Sequence, residues 1–242
     1  MLKVAISAGG AALKLLAPAI LLAGCGAQPA RAPDPFTQTG ELIAFGGGDA
    51  GPSAACVTCH GLDGTGDGEL APRLAGLPVG YLQKQLEDYA AEVRPHEQMA
   101  RIAKALSQED RAAVARYYAA APWTSATAPA APHPAGARLY QAGDPSRGLA
   151  ACAQCHGAAG QGTGAANPPL AGQPPGYLAE QLRLWKTGER RNDPGAVMLR
   201  ISRRLSDREI DDLSRYAASL SPPPAPPAAP PEPSPRTHRP DR

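Results

Sequence analysis

Two copies of a Cys-x-x-Cys-His motif, at residues 56–60 and 152–156, constrain this chain more than any other feature. The two cysteines of each copy can form thioethers to the vinyl groups of a haem, and the adjoining histidine can ligate the haem iron. The motif therefore predicts two covalently bound haems. The residues predicted to hold them are Cys56, Cys59 and His60 in the first copy and Cys152, Cys155 and His156 in the second.

The methionines repeat in step with these motifs. Apart from the initiator, the chain has only Met99 and Met198, which follow His60 and His156 by 39 and 42 residues. A methionine thioether is the usual second axial ligand of a c-type haem that transfers electrons. The sequence therefore predicts one His/Met pair for each iron.

Other readings of the cysteines explain less of the pattern. Two Cys-x-x-Cys pairs can form a Cys₄ zinc site, and a single pair can be a redox dithiol in a βαβ setting. Neither alternative accounts for a histidine next to both pairs or for a methionine at matching distance. The haem interpretation accounts for both.

The chain also contains an internal repeat that extends well beyond the haem motifs. With an offset of 96 residues, the segment 54–86 aligns with 150–182, including a shared Pro-x-Leu-Ala-Gly-x-Pro-x-Gly-Tyr-Leu. Three extra residues before Met198 raise the offset to 99 for the last part of each repeat. The repeat predicts two domains of one fold, at residues 40–120 and 138–220.

Each repeat has the pattern of helices joined by glycine-rich loops. In the first repeat, Leu82, Leu86 and Tyr89 recur at helical spacing, and the second repeat has the same pattern. The last helix of each repeat is predicted to begin at a capping box, Ser-x-x-Asp at 107–110 and Ser-x-x-Glu at 206–209. Because domains of this size bury little apolar surface, we expect each core to form around its cofactor.

The segments outside the repeats predict export and tethering. Residues 1–24 resemble a secretory signal peptide, and Leu22-Ala23-Gly24-Cys25 resembles a bacterial lipobox, in which Cys25 is lipidated. Residues 25–39 would then be a tether, residues 121–137 a Pro/Ala-rich linker and residues 221–242 a disordered Pro-rich tail. We expect a periplasmic protein anchored to a membrane by lipid, the alternative being a soluble periplasmic protein that loses Cys25 with its signal.

The charge is divided unevenly between the repeats. Residues 40–120 hold seven Lys/Arg and eleven Asp/Glu, a net charge of −4, whereas residues 138–220 hold eleven and eight, a net charge of +3. Such a dipole can orient a carrier between partners of different charge. The sequence has no cluster of basic residues interleaved with aromatic residues, so nucleic acid is not expected as a partner.

These residues carry a family resemblance. Cys-x-x-Cys-His, a proline 12 residues beyond the histidine and a late methionine resemble class I cytochrome c, and the duplication over residues 40–220 resembles the diheme cytochrome c4 family. The resemblance implies an all-α fold of two tandem class I cytochrome c domains. It also implies a carrier without a small-molecule substrate that takes electrons from a donor such as a cytochrome bc complex and delivers them towards a terminal oxidase.

The resemblance further suggests residues around each haem. The carbonyls of Pro72 and Pro168 would accept hydrogen bonds from the haem histidines. Five side chains are candidates to donate to haem propionates, with core packing as the alternative for the aromatic residues and exposed ion pairs for the arginines. These candidates are Tyr81, Tyr177, Trp185, Arg94 and Arg190.

Three functions are compatible with two haem domains. The first is an electron carrier with no enzymatic activity. The second is a diheme peroxidase, which needs an open iron position and is disfavoured by the paired methionines. The third is the cytochrome subunit of a membrane-bound dehydrogenase, and the sequence does not separate it from the first.

Overall fold

The computed structural model describes residues 39–123 and 133–221. Within these ranges the regular structure is helical, with no β-strand beyond a single isolated bridge. The first repeat contains α1 (Gly40–Gly46), α2 (Val57–His60), α3 (Val79–Ala90), α4 (Glu97–Ala105) and α5 (Gln108–Ala120). The second contains α6 (Pro134–Ala142), α7 (Ala153–His156), α8 (Pro175–Thr187), α9 (Val197–Ser202) and α10 (Asp207–Ser219). The all-α prediction is confirmed.

The first and last helices of each repeat cross at a glycine. A β-carbon on Gly40 of α1 would lie 2.2 Å from the carbonyl oxygen of Ala113 in α5. A β-carbon on Gly136 of α6 would lie 2.2 Å from the carbonyl oxygen of Asp212 in α10. Any side chain would collide with the backbone there. The close approach of α1 to α5 and of α6 to α10 therefore requires glycine at these two positions.

The helix starts follow their local sequence. Both predicted capping boxes are present, with Ser107 and Ser206 accepting from the backbone N–H three residues later. Helix α6 begins at Pro134, four residues before the predicted domain start at 138, because a proline suits the first turn of a helix. Thr39, placed at the end of the predicted tether, caps α1 by accepting from the N–H of Leu42.

Each repeat has its own apolar core on the expected helix faces. In the first repeat, Leu82 of α3 packs with Val114 and Tyr118 of α5. In the second, Leu178 of α8 packs with Ile210 and Leu213 of α10. These cores adjoin the haem motifs, since Cys56 and Cys152 pack against them.

The segments before the two methionines differ. Helix α4 has nine residues and starts directly at its cap, His96. Helix α9 has six residues and follows a short 3₁₀ turn, Pro194–Ala196, in which Gly195 and Ala196 have positive φ. The three extra residues of the second repeat lie in this region.

Several expectations fall outside the described residues. These are the signal peptide 1–24, the lipidated Cys25, most of the tether 25–39, most of the linker 121–137 and most of the tail 221–242. Within residues 39–123 and 133–221, no helix is long and apolar enough to cross a membrane.

Candidate haem sites

Each Cys-x-x-Cys-His motif forms a single helical turn. In the first repeat, α2 places Cys56 and Cys59 three residues apart on one face, with His60 at the end of the turn. Cys59 is exposed whereas Cys56 is mostly covered, and neither is in a disulfide. Helix α7 presents Cys152 and Cys155 in the same way. Each motif therefore presents two free thiols next to a histidine.

The two histidines are held by the prolines that the sequence singled out. His60 Nδ1 lies 2.8 Å from the carbonyl oxygen of Pro72, and His156 Nδ1 lies 2.8 Å from that of Pro168. Since a carbonyl can only accept, each Nδ1 carries the proton, and each Nε2 keeps its lone pair for a metal.

Burial favours the neutral form of both histidines. It lowers the pKa of His60 and of His156 below the usual value, against the smaller opposing effect of the hydrogen bonds to Pro72 and Pro168. A neutral imidazole with a fixed ring orientation is the form that ligates iron.

The buried thiols differ from the low-pKa thiols of a redox dithiol. Burial raises the pKa of Cys56 and of Cys152 to about 11, so both are protonated at neutral pH before they react. In the described ranges, no three His, Cys, Asp or Glu side chains converge as a zinc site would require. The site therefore does not support the zinc and dithiol alternatives.

A cavity of about 430 Å³ adjoins the first motif. Cys56 and His60 of the first motif and Met99 of α4 line it together with apolar residues. Residues of the second repeat, including Leu170 and Tyr177, complete the wall. Its lining is largely apolar with a few polar groups, as expected of a cofactor site.

The two methionines are fixed through their backbones in different ways. The N–H of Met99 donates to His96 Nδ1 at 3.2 Å, and the His96 ring packs edge-on against Tyr89. The N–H of Met198 donates to the Asp193 carboxylate at 2.7 Å. Each methionine therefore lies in the first turn of its helix, with its N–H bonded to a side chain that precedes the helix.

Arg94 and Arg190 lie where the repeats meet, and both are almost fully buried. Arg94 donates to Gln85 of its own repeat at 2.9 Å and to Tyr177 and Gln181 of the other at 3.0 and 2.8 Å. Arg190 reciprocates by donating to Gln181 at 2.5 Å and to Gln85 at 3.2 Å. The cluster joins the two repeats through amide and phenol groups.

These buried cations have no protein anion beside them. Among the ion pairs of the described residues, none includes Arg94 or Arg190. The Arg190 guanidinium instead covers the Trp185 ring at 4.0 Å, and the buried Trp185 Nε1 has no hydrogen-bond partner. A buried cation normally requires an anion, and a buried indole N–H requires an acceptor. The carboxylates of haem propionates would satisfy both, so the residues present fit the cofactor.

Some residues of these sites carried little signal in the sequence. Gln85 and Gln181 were noticed in the sequence only because they match each other in the repeat. A glutamine on an otherwise apolar helix face could have indicated a buried polar contact. Asn192 donates to Gln85 at 2.9 Å and has no counterpart in the repeat. Arg73 and Gln173, also at the contact between the repeats, have dissimilar counterparts, Pro169 and Leu77.

Comparison with known proteins identifies the same two domains. The cytochrome c family matches residues 51–120 and 134–221. A thiosulfate dehydrogenase electron acceptor of Stutzerimonas stutzeri (strain A1501) is 43% identical over 178 residues, which are 72% of this chain and 82% of that protein.

Two solved structures are similar in fold and sequence. Thiosulfate dehydrogenase (TsdBA) from Marichromatium purpuratum matches with a TM-score of 0.69 and 44% identity over 77% of this chain, which spans only 40% of that longer chain. Reduced recombinant cytochrome c4 from Pseudomonas stutzeri matches with a TM-score of 0.64 and 32% identity, over 71% of this chain and 96% of that one. The chain belongs to the cytochrome c family and is a diheme, cytochrome c4-like electron-transfer protein with two covalently bound haems.

Proposed function

We propose that this chain accepts electrons from a thiosulfate-oxidising dehydrogenase and carries them towards a terminal oxidase. The observation that carries the proposal is the 43% identity to a thiosulfate dehydrogenase electron acceptor, over 82% of that relative. The match to part of the longer chain of TsdBA supports the same assignment. The proposal favours the dehydrogenase-associated role over a cytochrome bc complex as donor.

The iron of each haem supplies one-electron exchange between its ferric and ferrous states, and the chain supplies its ligands. In the first repeat, we assign thioether bonds to Cys56 and Cys59 and axial ligation to His60 and Met99. The hydrogen bond from His60 to Pro72 fixes the imidazole plane, which supports ligation through Nε2. The corresponding residues of the second repeat are Cys152, Cys155, His156 and Met198, with Pro168 holding His156.

The residues between the repeats would hold the propionates. Arg94 and Arg190 supply buried positive charge without a protein carboxylate, and Trp185 offers an unpaired buried N–H. Tyr81 lines the first cavity, and Tyr177 already accepts from Arg94 at 3.0 Å. Because Arg94 and Arg190 share the acceptors Gln85 and Gln181, one cluster of donors would be available to propionates from both repeats.

Reduction by a purified donor tests the proposed pathway. Ferric holoprotein is mixed with a thiosulfate dehydrogenase and thiosulfate, and the c-type α band is followed. We expect both haems to be reduced, and no reduction when either the dehydrogenase or thiosulfate is omitted. Reduction by a cytochrome bc complex with quinol, together with none by the dehydrogenase, would contradict the proposed donor and restore the bc complex.

Carbon monoxide separates the carrier from a diheme peroxidase. With His and Met on both irons, the chain leaves no position for an external ligand, so ferrous protein should bind carbon monoxide slowly at neutral pH. Fast binding at one haem would indicate a weak or missing methionine bond and would favour the peroxidase.

We also propose that the protein works in the periplasm, attached by lipid at Cys25. The support is the sequence Leu22-Ala23-Gly24-Cys25 after an apolar segment. Because stable anchoring requires more than a single acyl chain, a multiply acylated cysteine should hold the protein at a membrane. Cys25→Ser should release holoprotein with unchanged spectra. A wild-type protein that is already soluble, with an N-terminus beyond Cys25, would refute the anchor.

A further inference from the structure

Arg73 occupies the contact between equivalent turns of the two repeats. It is the largest fully buried side chain of the described residues, at 1% exposed. Its guanidinium donates to the carbonyl oxygen of Ala75 and, at 3.0 Å, to that of Ala171. Ala75 and Ala171 are equivalent residues of the repeat, 96 positions apart. One cation therefore bridges the same turn of both domains.

The backbone and the flat face of Arg73 are also held. Its N–H donates to Gln173 Oε1 at 3.0 Å, and its carbonyl oxygen accepts from Gln173 Nε2 at 2.9 Å. The guanidinium lies 3.9 Å from the ring centre of Trp123. Trp123 fits there because residue 172 is glycine. A β-carbon at that position would lie 2.1 Å from the indole. These contacts fix the charge in one place.

This charge is not balanced by the protein. No ion pair among residues 39–123 and 133–221 includes Arg73, and its Nε has no hydrogen-bond partner there. Burial lowers the pKa of Arg73 to about 10, which still leaves it positively charged at neutral pH. An uncompensated charge away from water acts over a longer distance than an exposed one.

Arg73 is close in sequence to the first haem site, and its hydrogen-bond partner Ala171 is close in sequence to the second. Arg73 lines the cavity of the first site and directly follows Pro72, whose carbonyl holds His60. Its partner Ala171 comes three residues after Pro168, whose carbonyl holds His156. The guanidinium therefore contacts, in both repeats, the turn that follows the proline bonded to the haem histidine.

We propose that Arg73 is a shared tuning residue whose buried positive charge raises the reduction potentials of both haems. Reduction adds one electron to each haem, and a nearby fixed cation stabilises the reduced form by Coulomb attraction. The role depends on two haems being bound and is independent of which donor supplies the electrons.

A redox titration of Arg73→Met tests the role, because methionine keeps much of the side-chain volume and removes the charge. We expect the equilibrium constant for reduction to fall about tenfold at each haem, a shift of about 59 mV for a one-electron couple. The near-infrared sulfur-to-iron band, recorded on the same samples, shows that the methionine ligands are retained. Arg111→Met is the matched control, since Arg111 donates to two carbonyls within the first repeat and is paired with Glu87. We expect unchanged potentials in this control.

Two further variants keep the test decisive. Arg73→Lys retains the charge and should keep both potentials near the wild-type values. If Arg73→Met does not assemble with two haems and intact methionine ligation, Arg73→Gln removes the charge while keeping an amide donor for the carbonyls. Wild-type potentials in the neutral variant, a fall at only one haem, or an equal fall in Arg73→Lys would overturn the proposal.

Discussion

His60 and His156 are held in the same way in the two repeats, whereas the segments that carry Met99 and Met198 differ. Each histidine ends a one-turn helix and lies 2.8 Å from a proline carbonyl 12 residues later. Met99 lies in the first turn of a nine-residue helix capped by His96. Met198 lies in a six-residue helix reached through a 3₁₀ turn.

With the axial ligands proposed above, this difference indicates which side of a haem site tolerates change. An imidazole ligand has a plane that must be oriented, so its helix, glycine loop and proline brace form one unit that both repeats retain. A thioether sits on a flexible side chain with three rotatable bonds, so helices of different length and entry can present it. Three residues were therefore accommodated before Met198 and none between the motif and its proline.

Removal of each methionine tests whether the two different segments both supply an iron ligand. Of the changes considered, it should have the largest effect on the reduction potentials. Thioether ligation favours the ferrous state, so Met99→Ala and Met198→Ala should each lower one potential by on the order of 0.1 V, within the range of about 0.8 V that axial ligands span. Each variant should also lose half of the near-infrared sulfur-to-iron band. Arg101→Gln, exposed on the same helix as Met99 and outside the cavity lining, is the control and should retain the full band. A full band in either variant would remove that methionine from the ligand set.

The glycine crossings test whether the two repeats have equivalent helix packing. Gly40→Ala and Gly136→Ala each place a β-carbon 2.2 Å from a backbone oxygen, so each should lower the free energy of unfolding of its repeat by about 2 kcal/mol. Denaturant unfolding followed at the haem bands measures this loss.

Gly46→Ala, at the end of α1, is expected to raise stability, the opposite of the effect of Gly40→Ala. Residue 46 has open space around its β-carbon position, so alanine should stabilise α1 by about 0.5 kcal/mol. Equal stability of Gly46→Ala and Gly40→Ala would contradict the packing argument.

Acid should lower the stability of the second repeat through Glu209, whose ion pair has no equivalent in the first repeat. Glu209 accepts from Arg147 at 2.6 Å, and this hydrogen bond, with those from Ser206, lowers the pKa of Glu209 to about 2. Since the folded pKa lies below the unfolded value, the stabilisation is present above about pH 4.5 and is lost as the pH falls towards 2.

The expected loss is about 1 kcal/mol, because the pair is partly exposed to solvent. Urea unfolding of the second repeat at pH 6 and pH 3 measures it, and Arg147→Gln should remove most of this pH dependence. An unchanged dependence in that variant would assign the acid sensitivity to other groups.

Features that repeat in the sequence could be predicted, and features that break the repeat could not. The haem motifs, both capping boxes and the all-α fold depend on local spacing that occurs twice. The contact of Arg73 with Gln173 joins residues 100 positions apart, and neither has a similar counterpart. A buried arginine there becomes favourable only when the turns at Ala75 and Ala171 meet.

The boundaries were predictable only in part for the same reason. Pro134 lies in a Pro/Ala-rich segment that favours a linker, yet α6 begins there because the helix packs on α10 and a proline suits its first turn. Trp123 also belonged to the predicted linker, and it stacks on Arg73. Tertiary packing decided both positions.

A reductive titration of the full-length protein, combined with its haem content, tests the central claim most directly. Two covalently bound haems in equivalent domains predict two haems per chain by pyridine haemochrome and two one-electron equivalents for full reduction. One haem per chain, or complete reduction by a single electron, would contradict the account.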